Sequence, residues 1–333
     1  MSNIIKLPRN CRLYFSNRDL GKEIEKYDVS EVENMEEMFG NVTFTEPVDL
    51  SSWNVSKVTT MKDLFRFSSG YLPNISNWDV SNVTNMSGMF DHADFENEVS
   101  LENWNTSNVK DMSFMFLHSE VKVNISNWDV SNVTDMSHMF EESTFNGDIS
   151  RWNVSNVRDM SYMFKGSMFS GDISRWNVSN VRNISHMFED STFNGDISRW
   201  NVSNVSDMSY LFKGSKFDRA ISFWNTSNVK DMSFIFACSV FRGDISRWDV
   251  SKVLKLTGAF RRSKFTGDIS RWKVDKCLDF SGMFEYSQFN GDLSRWKING
   301  NIKGMFYGSK FNRNINVDRN LAFNTKSDIN DED

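Results

Sequence analysis

The side chains of this sequence that could carry chemistry are charged groups that recur at fixed positions around tryptophan. An arginine stands immediately before six of the later tryptophans: Arg151, Arg175, Arg199, Arg247, Arg271 and Arg295. An aspartate stands four residues before the same tryptophans: Asp148, Asp172, Asp196, Asp244, Asp268 and Asp292. Guanidinium and carboxylate groups form charge-assisted hydrogen bonds, so these residues could bind a charged partner or neutralise one another.

The tryptophans themselves define the organisation of the chain. Successive tryptophans are 25, then 26, then always 24 residues apart, and the full set is Trp53, Trp78, Trp104, Trp128, Trp152, Trp176, Trp200, Trp224, Trp248, Trp272 and Trp296. A period of this length indicates a repeat array, in which one repeat cannot bury its own apolar face and stacking of neighbours supplies the core. Each repeat is named below by its tryptophan.

Two hydrophobic periodicities follow one another within a repeat. Residues 151–154 alternate between polar and apolar, which is typical of a short strand. Met160, Met163 and Phe164 then follow the i, i+3, i+4 spacing of one or two helical turns, and Gly166 suits a left-handed stop. We therefore predict an α/β repeat solenoid, similar to leucine-rich repeats, with about twelve coils of 24–26 residues, each a short strand plus a short helix.

The repeat frame sets the predicted domain organisation. Residues 1–20 are predicted to form an N-terminal cap, residues 21–317 the repeat solenoid, and residues 318–333 an acidic C-terminal tail. Only 39% of the residues are hydrophobic, but 14% are aromatic, which suits a thin core filled by large rings. The tryptophans are expected to be buried and stacked on one another. The asparagine four residues after most tryptophans is expected to bond the backbone of its own and the next repeat.

The repeat motif carries a family resemblance. The pattern Met-Phe-x-Gly-Ser-x-Phe-Asn-Gly-Asp-Ile-Ser-x-Trp-Asn-Val-Ser-Asn-Val-x-Asp-Met-Ser resembles the bacterial surface protein repeat, and it extends over about residues 21–317. That repeat is found in lipoprotein-type and adhesin-type proteins and is grouped with leucine-rich repeats. The resemblance implies a repeat-built surface that contacts other macromolecules, and it implies no reaction.

The charged positions permit two interpretations. Because like charges stacked within one column repel, aspartate and arginine could pair between adjacent repeats as a structural ladder. Alternatively, the arginines could recognise an acidic partner. The Trp224 repeat departs from both columns, with Ala220 in place of aspartate and Phe223 in place of arginine. An exposed Phe223 would resemble an interface anchor, and a local repacking around this ring is the equal alternative.

We expect a non-enzymatic scaffold that recognises a macromolecule through the exposed strand face, with a protein as the expected partner. The candidate contact residues are Arg151, Arg175, Arg199, Phe223, Arg247, Arg271, Arg295, Asn153, Asn177 and Asn201. The alternative is a structural component that self-assembles, for example on a virion or a cell surface.

Other function classes are disfavoured by the pattern. Nearly every polar residue is a copy of its counterpart in the next repeat, whereas an active site needs unique polar residues clustered in a pocket. His138 and His186 share a column but lie two repeats apart, too far for one metal ion. A net charge of −6 and a pI near 5.4 leave no nucleic-acid footprint, and no cofactor is expected.

Cysteine usage and hydropathy bear on the compartment. Cys11, Cys238 and Cys277 have no framework spacing, which favours reduced thiols and metal-independent folding. No secretion leader and no apolar stretch of membrane-spanning length is visible. We expect a monomer with no membrane insertion, in the cytoplasm or associated with a host cell or virion.

Overall fold

A computed structural model describes residues 4–313 and residue 315, so the predicted acidic tail at 318–333 lies outside the described residues. Within that range the chain divides into two compact units. The first unit extends to Asp159 and takes in Ser167–Gly171, and the second comprises Met160–Gly166 and the residues from Asp172 onwards.

Regular elements in the described range are short, and all of them lie before residue 125. The strands are β1 Ile5–Lys6, β2 Asp19–Leu20, β3 Tyr27–Asp28, β4 Thr43–Phe44, β5 Ser69–Gly70, β6 Asp94–Phe95, β7 Val99–Ser100 and β8 Val123–Asn124. One 3₁₀ helix spans Lys22–Lys26. The strands form three parallel sheets with the orders β1-β3, β2-β4-β5-β6 and β7-β8, so the predicted cap contributes β1 and β2 to the pairing.

Single parallel bridges continue the stacking where no longer strand forms. In both units the bridging residue stands seven positions after the tryptophan of most repeats. In the first unit the ladder runs through Asn34, Thr60, Asn85, Asp111, Asp135 and Asp159, and in the second through Asn183, Asp207, Asp231, Lys255, Asp279 and Asn301. Because each residue pairs with its counterpart one repeat away, the side chains of equivalent positions are aligned along each unit.

The aligned aromatic side chains form the core, as predicted. Every tryptophan is 5% exposed or less. Neighbouring indoles stack nearly parallel, with the ring centroids of Trp224 and Trp248 6.3 Å apart. A second column of stacked rings contains Phe212 and Phe236, whose centroids are 5.7 Å apart. Each repeat therefore buries its rings against those of its neighbours, as a stacked array requires.

Each buried indole in this stretch also has a polar role. The Nε1–H group of Trp200 donates a hydrogen bond to the carbonyl oxygen of Ile173 in the preceding repeat, at 3.1 Å. Trp224 donates in the same way to Ile197, also at 3.1 Å. A buried carbonyl without a partner would cost free energy, so tryptophan satisfies the backbone of the neighbouring repeat while filling the core.

The predicted helix was wrong, and no α-helix is present among the described residues. At the position predicted to be helical, the Tyr162 N–H donates to the Ser185 carbonyl and the Phe164 N–H to that of Met187, one repeat further on. Tyr162 and Gly166 have φ of 60° and 62°. Left-handed residues four positions apart interrupt a right-handed helix and turn alternate amides towards the next repeat. The spacing of Met160, Met163 and Phe164 reflects successive turns instead.

The in–out alternation around tryptophan is confirmed, but the paired backbone lies elsewhere. Arg199 is exposed, Trp200 buried, Asn201 exposed and Val202 buried. The Trp200 N–H closes a turn onto the Ile197 carbonyl at 3.1 Å. At the arginines, the face that was predicted to be an exposed strand is therefore a row of β-turn tips.

Candidate functional site

The arginine column, defined as the residues directly before tryptophan, is placed by these turns. In the Trp248 repeat, Ile245 and Trp248 are buried and joined by the hydrogen bond that closes the turn, at 3.1 Å. Arg247 lies at the third position of that turn and is exposed. The same burial pattern recurs at Arg151 in the first unit and at Arg175, Arg199, Arg271 and Arg295 in the second. Within the second unit, folding of the core therefore presents a row of guanidinium groups at regular intervals.

The aspartate column, four residues before tryptophan, is held by its own repeat. The Ser198 backbone N–H donates to Asp196 Oδ1 at 2.9 Å, and the Ser246 N–H donates to Asp244 Oδ1 at 2.8 Å. These bonds lower the pKa of both carboxyl groups from the ordinary value of 3.8, and the nearby Arg199 and Arg247 lower it further. The column is therefore negatively charged at neutral pH, beside the arginines.

The arginines are not tied into an ion-pair ladder. Within the described part of the chain, none of the six arginines forms an ion pair within 4.0 Å of a carboxylate oxygen. The aspartates instead direct one oxygen to the serine amide two residues later, while the arginines lie at the turn tips. Direct pairing between adjacent repeats, the first sequence interpretation, is absent from this region, so the guanidinium groups remain exposed to an external partner.

Phe223 interrupts the arginine column with an apolar side chain. It is 79% exposed, and the Arg247 guanidinium carbon lies 5.4 Å from its ring centroid. Ala220, in the aspartate column of the same repeat, has no carboxylate to bond the Ser222 amide. A large exposed ring beside a cation is characteristic of residues that become buried in interfaces.

The asparagines predicted as contact residues have a structural role. Asn153, Asn177 and Asn201 are all exposed. Each accepts a hydrogen bond at Oδ1 from the serine amide two residues later, at 3.2 Å. Such Asx turns stabilise the local chain direction. These residues flank the arginine column, but their oxygen atoms are already engaged.

The other asparagine column bonds the backbone, as predicted, but it does so in the preceding repeat and not in the next one. Asn204 Nδ2 donates to the Ser179 carbonyl at 2.7 Å, and Asn228 Nδ2 donates to that of Ser203 at 2.8 Å. These bonds join each repeat to the preceding one. Near the C-terminal repeats Lys252 occupies this column and donates to Asn228 Oδ1 at 2.8 Å. This column therefore stabilises the stack.

A polar cluster on the outside of the second unit was not predicted. The His186 ring lies between Tyr162 and Tyr210, with centroid distances of 4.1 and 4.2 Å. His186 Nδ1 is 2.5 Å from Glu189 Oε2, and Lys213 Nζ donates to Glu189 Oε1 at 2.7 Å. The sequence did contain a sign of this position: later repeats have glycine, Gly258 and Gly282, where earlier repeats have His186 or a tyrosine. Glycine is favoured there because the backbone has a positive φ.

Neither a metal centre nor a membrane span is found among the described residues. No group of three or more histidine, cysteine, aspartate or glutamate side chains is arranged to hold a metal in the described part of the chain. No described helix has the length and apolar character needed to cross a bilayer. Cys11 and Cys277 are buried, which raises the pKa of their thiols to about 11 and about 12, whereas Cys238 is exposed.

Comparison with known proteins supports the repeat organisation. A family model described as "Mycoplasma protein of unknown function, DUF285" matches the chain three times in tandem, over residues 9–122, 117–221 and 211–320. No match was found among curated proteins or among solved structures. The tandem matches agree with the predicted bacterial repeat family.

Proposed function

We propose that this chain, which belongs to the family of Mycoplasma proteins of unknown function DUF285, is a repeat solenoid that recognises another protein through its arginine column. The observation that carries this proposal is the row of exposed guanidinium groups at the turn tips of the second unit, none of them in an ion pair within the described residues. Exposed, unpaired arginines are available to carboxylates of a partner without first breaking an internal bond.

Phe223 supports a protein as the partner. Binding energy at protein interfaces is concentrated in a few aromatic and arginine residues, with weaker contacts around them. Phe223, with Arg247 beside its ring, has this character, and the arginines on either side would supply the polar rim. The partner would therefore present carboxylates spaced along an elongated surface and an apolar recess near its middle.

A role in catalysis is not part of the proposal. The charged groups beside tryptophan are repeated from one coil to the next, and their aspartates are engaged in turns. Catalytic groups need a shared pocket in which a nucleophile, a base and a charge-stabilising donor converge on one substrate atom. A repeated row suits recognition of an extended partner.

The test is a comparison of the proteins retained by immobilised wild type and by Arg175→Glu/Arg199→Glu in lysate of the native source. Arg182→Glu is the matched control, because Arg182 is exposed in the same unit but outside the arginine column. We expect a specific partner that the control retains and the double variant loses. Identical partner sets for all three proteins would overturn the proposal.

A further inference from the structure

Within the second unit, the charged face formed by the arginine and aspartate columns is balanced. It contains five aspartates and five arginines, one pair in each of five repeats, together with Ala220 and Phe223 in the sixth: Asp172/Arg175, Asp196/Arg199, Asp244/Arg247, Asp268/Arg271 and Asp292/Arg295. A balanced face offers no net attraction to a uniformly acidic or basic surface. It is complementary to a surface that carries the same two columns in exchanged positions.

Symmetry determines which surface that is. Parallel bridges such as Asp207 to Asp231 keep equivalent positions aligned, so the two columns run side by side at a common spacing of about 4.8 Å. A two-fold rotation about an axis parallel to the columns, and midway between them, exchanges the columns. Each arginine then faces the aspartate of the same repeat in the other copy. A two-fold axis across the columns would instead place arginine against arginine, which is repulsive.

We propose that this face binds a second copy of the chain in parallel orientation, with arginine of each repeat against aspartate of the same repeat. The inference rests on the proposed function, because it identifies the partner of that same surface. It departs from the sequence expectation of a monomer.

The Trp224 repeat provides an independent observation. Ala220 and Phe223 replace aspartate and arginine together, in the same repeat. In the neighbouring repeats, no direct hydrogen bond or ion pair within the chain joins the aspartate to the arginine. In the proposed pair, Phe223 of one copy faces Ala220 of the other. A small side chain then accommodates the ring, and neither copy places an unpaired charge against an apolar group.

The flanking positions satisfy the same symmetry. The proposed axis lies midway between the positions four and one before tryptophan. The positions six before and one after tryptophan are therefore equally far from it along the sequence. In the Trp248 repeat these are Arg242 and Asp249, both exposed and of opposite charge. In the neighbouring repeats, Lys273 would face Thr266 and Lys297 would face Asn290. None of these facing positions carries like charges.

The strip of paired charges is short, so association should be weak. Six repeats at about 4.8 Å give a strip about 24 Å long, below the extent of typical stable dimer interfaces. The charges are exposed, so added salt should weaken the pairing. We expect a reversible monomer–dimer equilibrium whose dimer fraction rises with protein concentration and falls with salt.

Two complementary variants test the arrangement by sedimentation velocity over about 1 to 300 µM protein at low salt. The basic variant is Asp196→Arg/Asp268→Arg and the acidic variant is Arg199→Asp/Arg271→Asp. Alone, each places like charges opposite one another, so each should stay monomeric where wild type dimerises. Mixed in equal amounts, they restore opposite charges in every repeat and should dimerise again. Arg182→Asp, which makes the same arginine-to-aspartate change at one exposed position outside the face, should behave as wild type.

Several results would overturn the inference. They are a wild type that stays monomeric at every concentration, a mixture that stays monomeric, or single variants that dimerise as wild type does. Thermal melting of each variant checks folding, because Asp196 and Asp268 also hold turns through the Ser198 and Ser270 amides. Should the basic variant fail to fold, Asp196→Asn/Asp268→Asn retains a turn acceptor, and a dimer as strong as that of wild type would count against the inference.

The outcome can be separated from that of the proposed function. The wild type could stay monomeric while charge reversal at Arg175 and Arg199 abolishes binding of a different partner. That result would exclude self-recognition but would still support recognition through this face. Unchanged dimerisation and unchanged partner binding in that variant would exclude both.

Discussion

The indole Nε1–H of Trp248 donates a hydrogen bond to the carbonyl oxygen of Ile221 in the preceding repeat, at 3.0 Å. This contact joins two repeats through a buried polar bond and lies within the stack of rings. It explains why the array uses tryptophan where an aliphatic side chain could also be buried. The carbonyl of one repeat depends on the side chain of the next, so core and backbone stabilise each other.

Truncation of this residue should be costly. Trp248 is 3% exposed, and Trp248→Ala should lower the free energy of unfolding by about 3–5 kcal/mol, as large-to-small core changes do. Trp248→Phe should retain most of the ring packing but lose the hydrogen bond. It should therefore lower the free energy of unfolding by about 1–2 kcal/mol more than Trp53→Phe does. Trp53 is the matched control because its Nε1 has no partner in the described residues. Urea unfolding measures both, and a cost below about 1 kcal/mol for Trp248→Ala would contradict the buried assignment.

At the positions with positive φ, left-handed turns and a helix predict opposite effects of glycine on stability. Cys238 has a φ of 56° and is exposed. Cys238→Gly should therefore be more stable than Cys238→Ala by about 1 kcal/mol, because glycine adopts this conformation without strain. In a helix the order would be reversed, with glycine about 1 kcal/mol less stable than alanine. Thermal melting of the two variants decides between the two backbones.

These turns show where prediction from the sequence succeeded and where it failed. The burial of tryptophan and the backbone bonds of Asn204 and Asn228 followed from periodicity, because in–out alternation and stacking are properties of side-chain order. Met160, Met163 and Phe164 have the same spacing in a helix and in successive turns, so apolar periodicity alone could not distinguish them. The indole-to-carbonyl bond depends on the register between repeats, which one repeat's sequence does not contain. The stacking of His186 between two tyrosines likewise requires knowledge that equivalent positions are aligned.

The aspartate turns predict how stability depends on acid. Ser198 and Ser246 amides lower the folded-state pKa of Asp196 and Asp244 below the ordinary 3.8. A carboxyl group with a lowered folded-state pKa contributes stability above its unfolded-state pKa and loses that contribution as pH falls through the folded value. The melting temperature should therefore decline below about pH 4 through these groups. Asp196→Asn/Asp244→Asn should show a shallower decline, and an equal slope would contradict the assignment.

Thiol reactivity should separate the three cysteines. Burial raises the pKa of Cys11 to about 11 and that of Cys277 to about 12, so few thiolates form at neutral pH. Cys238 is exposed and should react quickly with Ellman's reagent in the native protein. We expect one fast thiol under native conditions and three after denaturation. Rapid native reaction of Cys277, tested in a Cys238→Ala background, would show that its repeat is open.

The recognition face is tested most directly by measuring partner affinity and melting temperature together on Arg175→Glu/Arg199→Glu, with Arg182→Glu as the control. Recognition through the arginine column predicts that affinity for the recovered protein partner falls by about tenfold or more while the melting temperature changes by less than about 2 °C. Wild-type affinity should also fall with added salt. Unchanged affinity together with a clearly lowered melting temperature would contradict recognition and show that the charged columns serve stability alone.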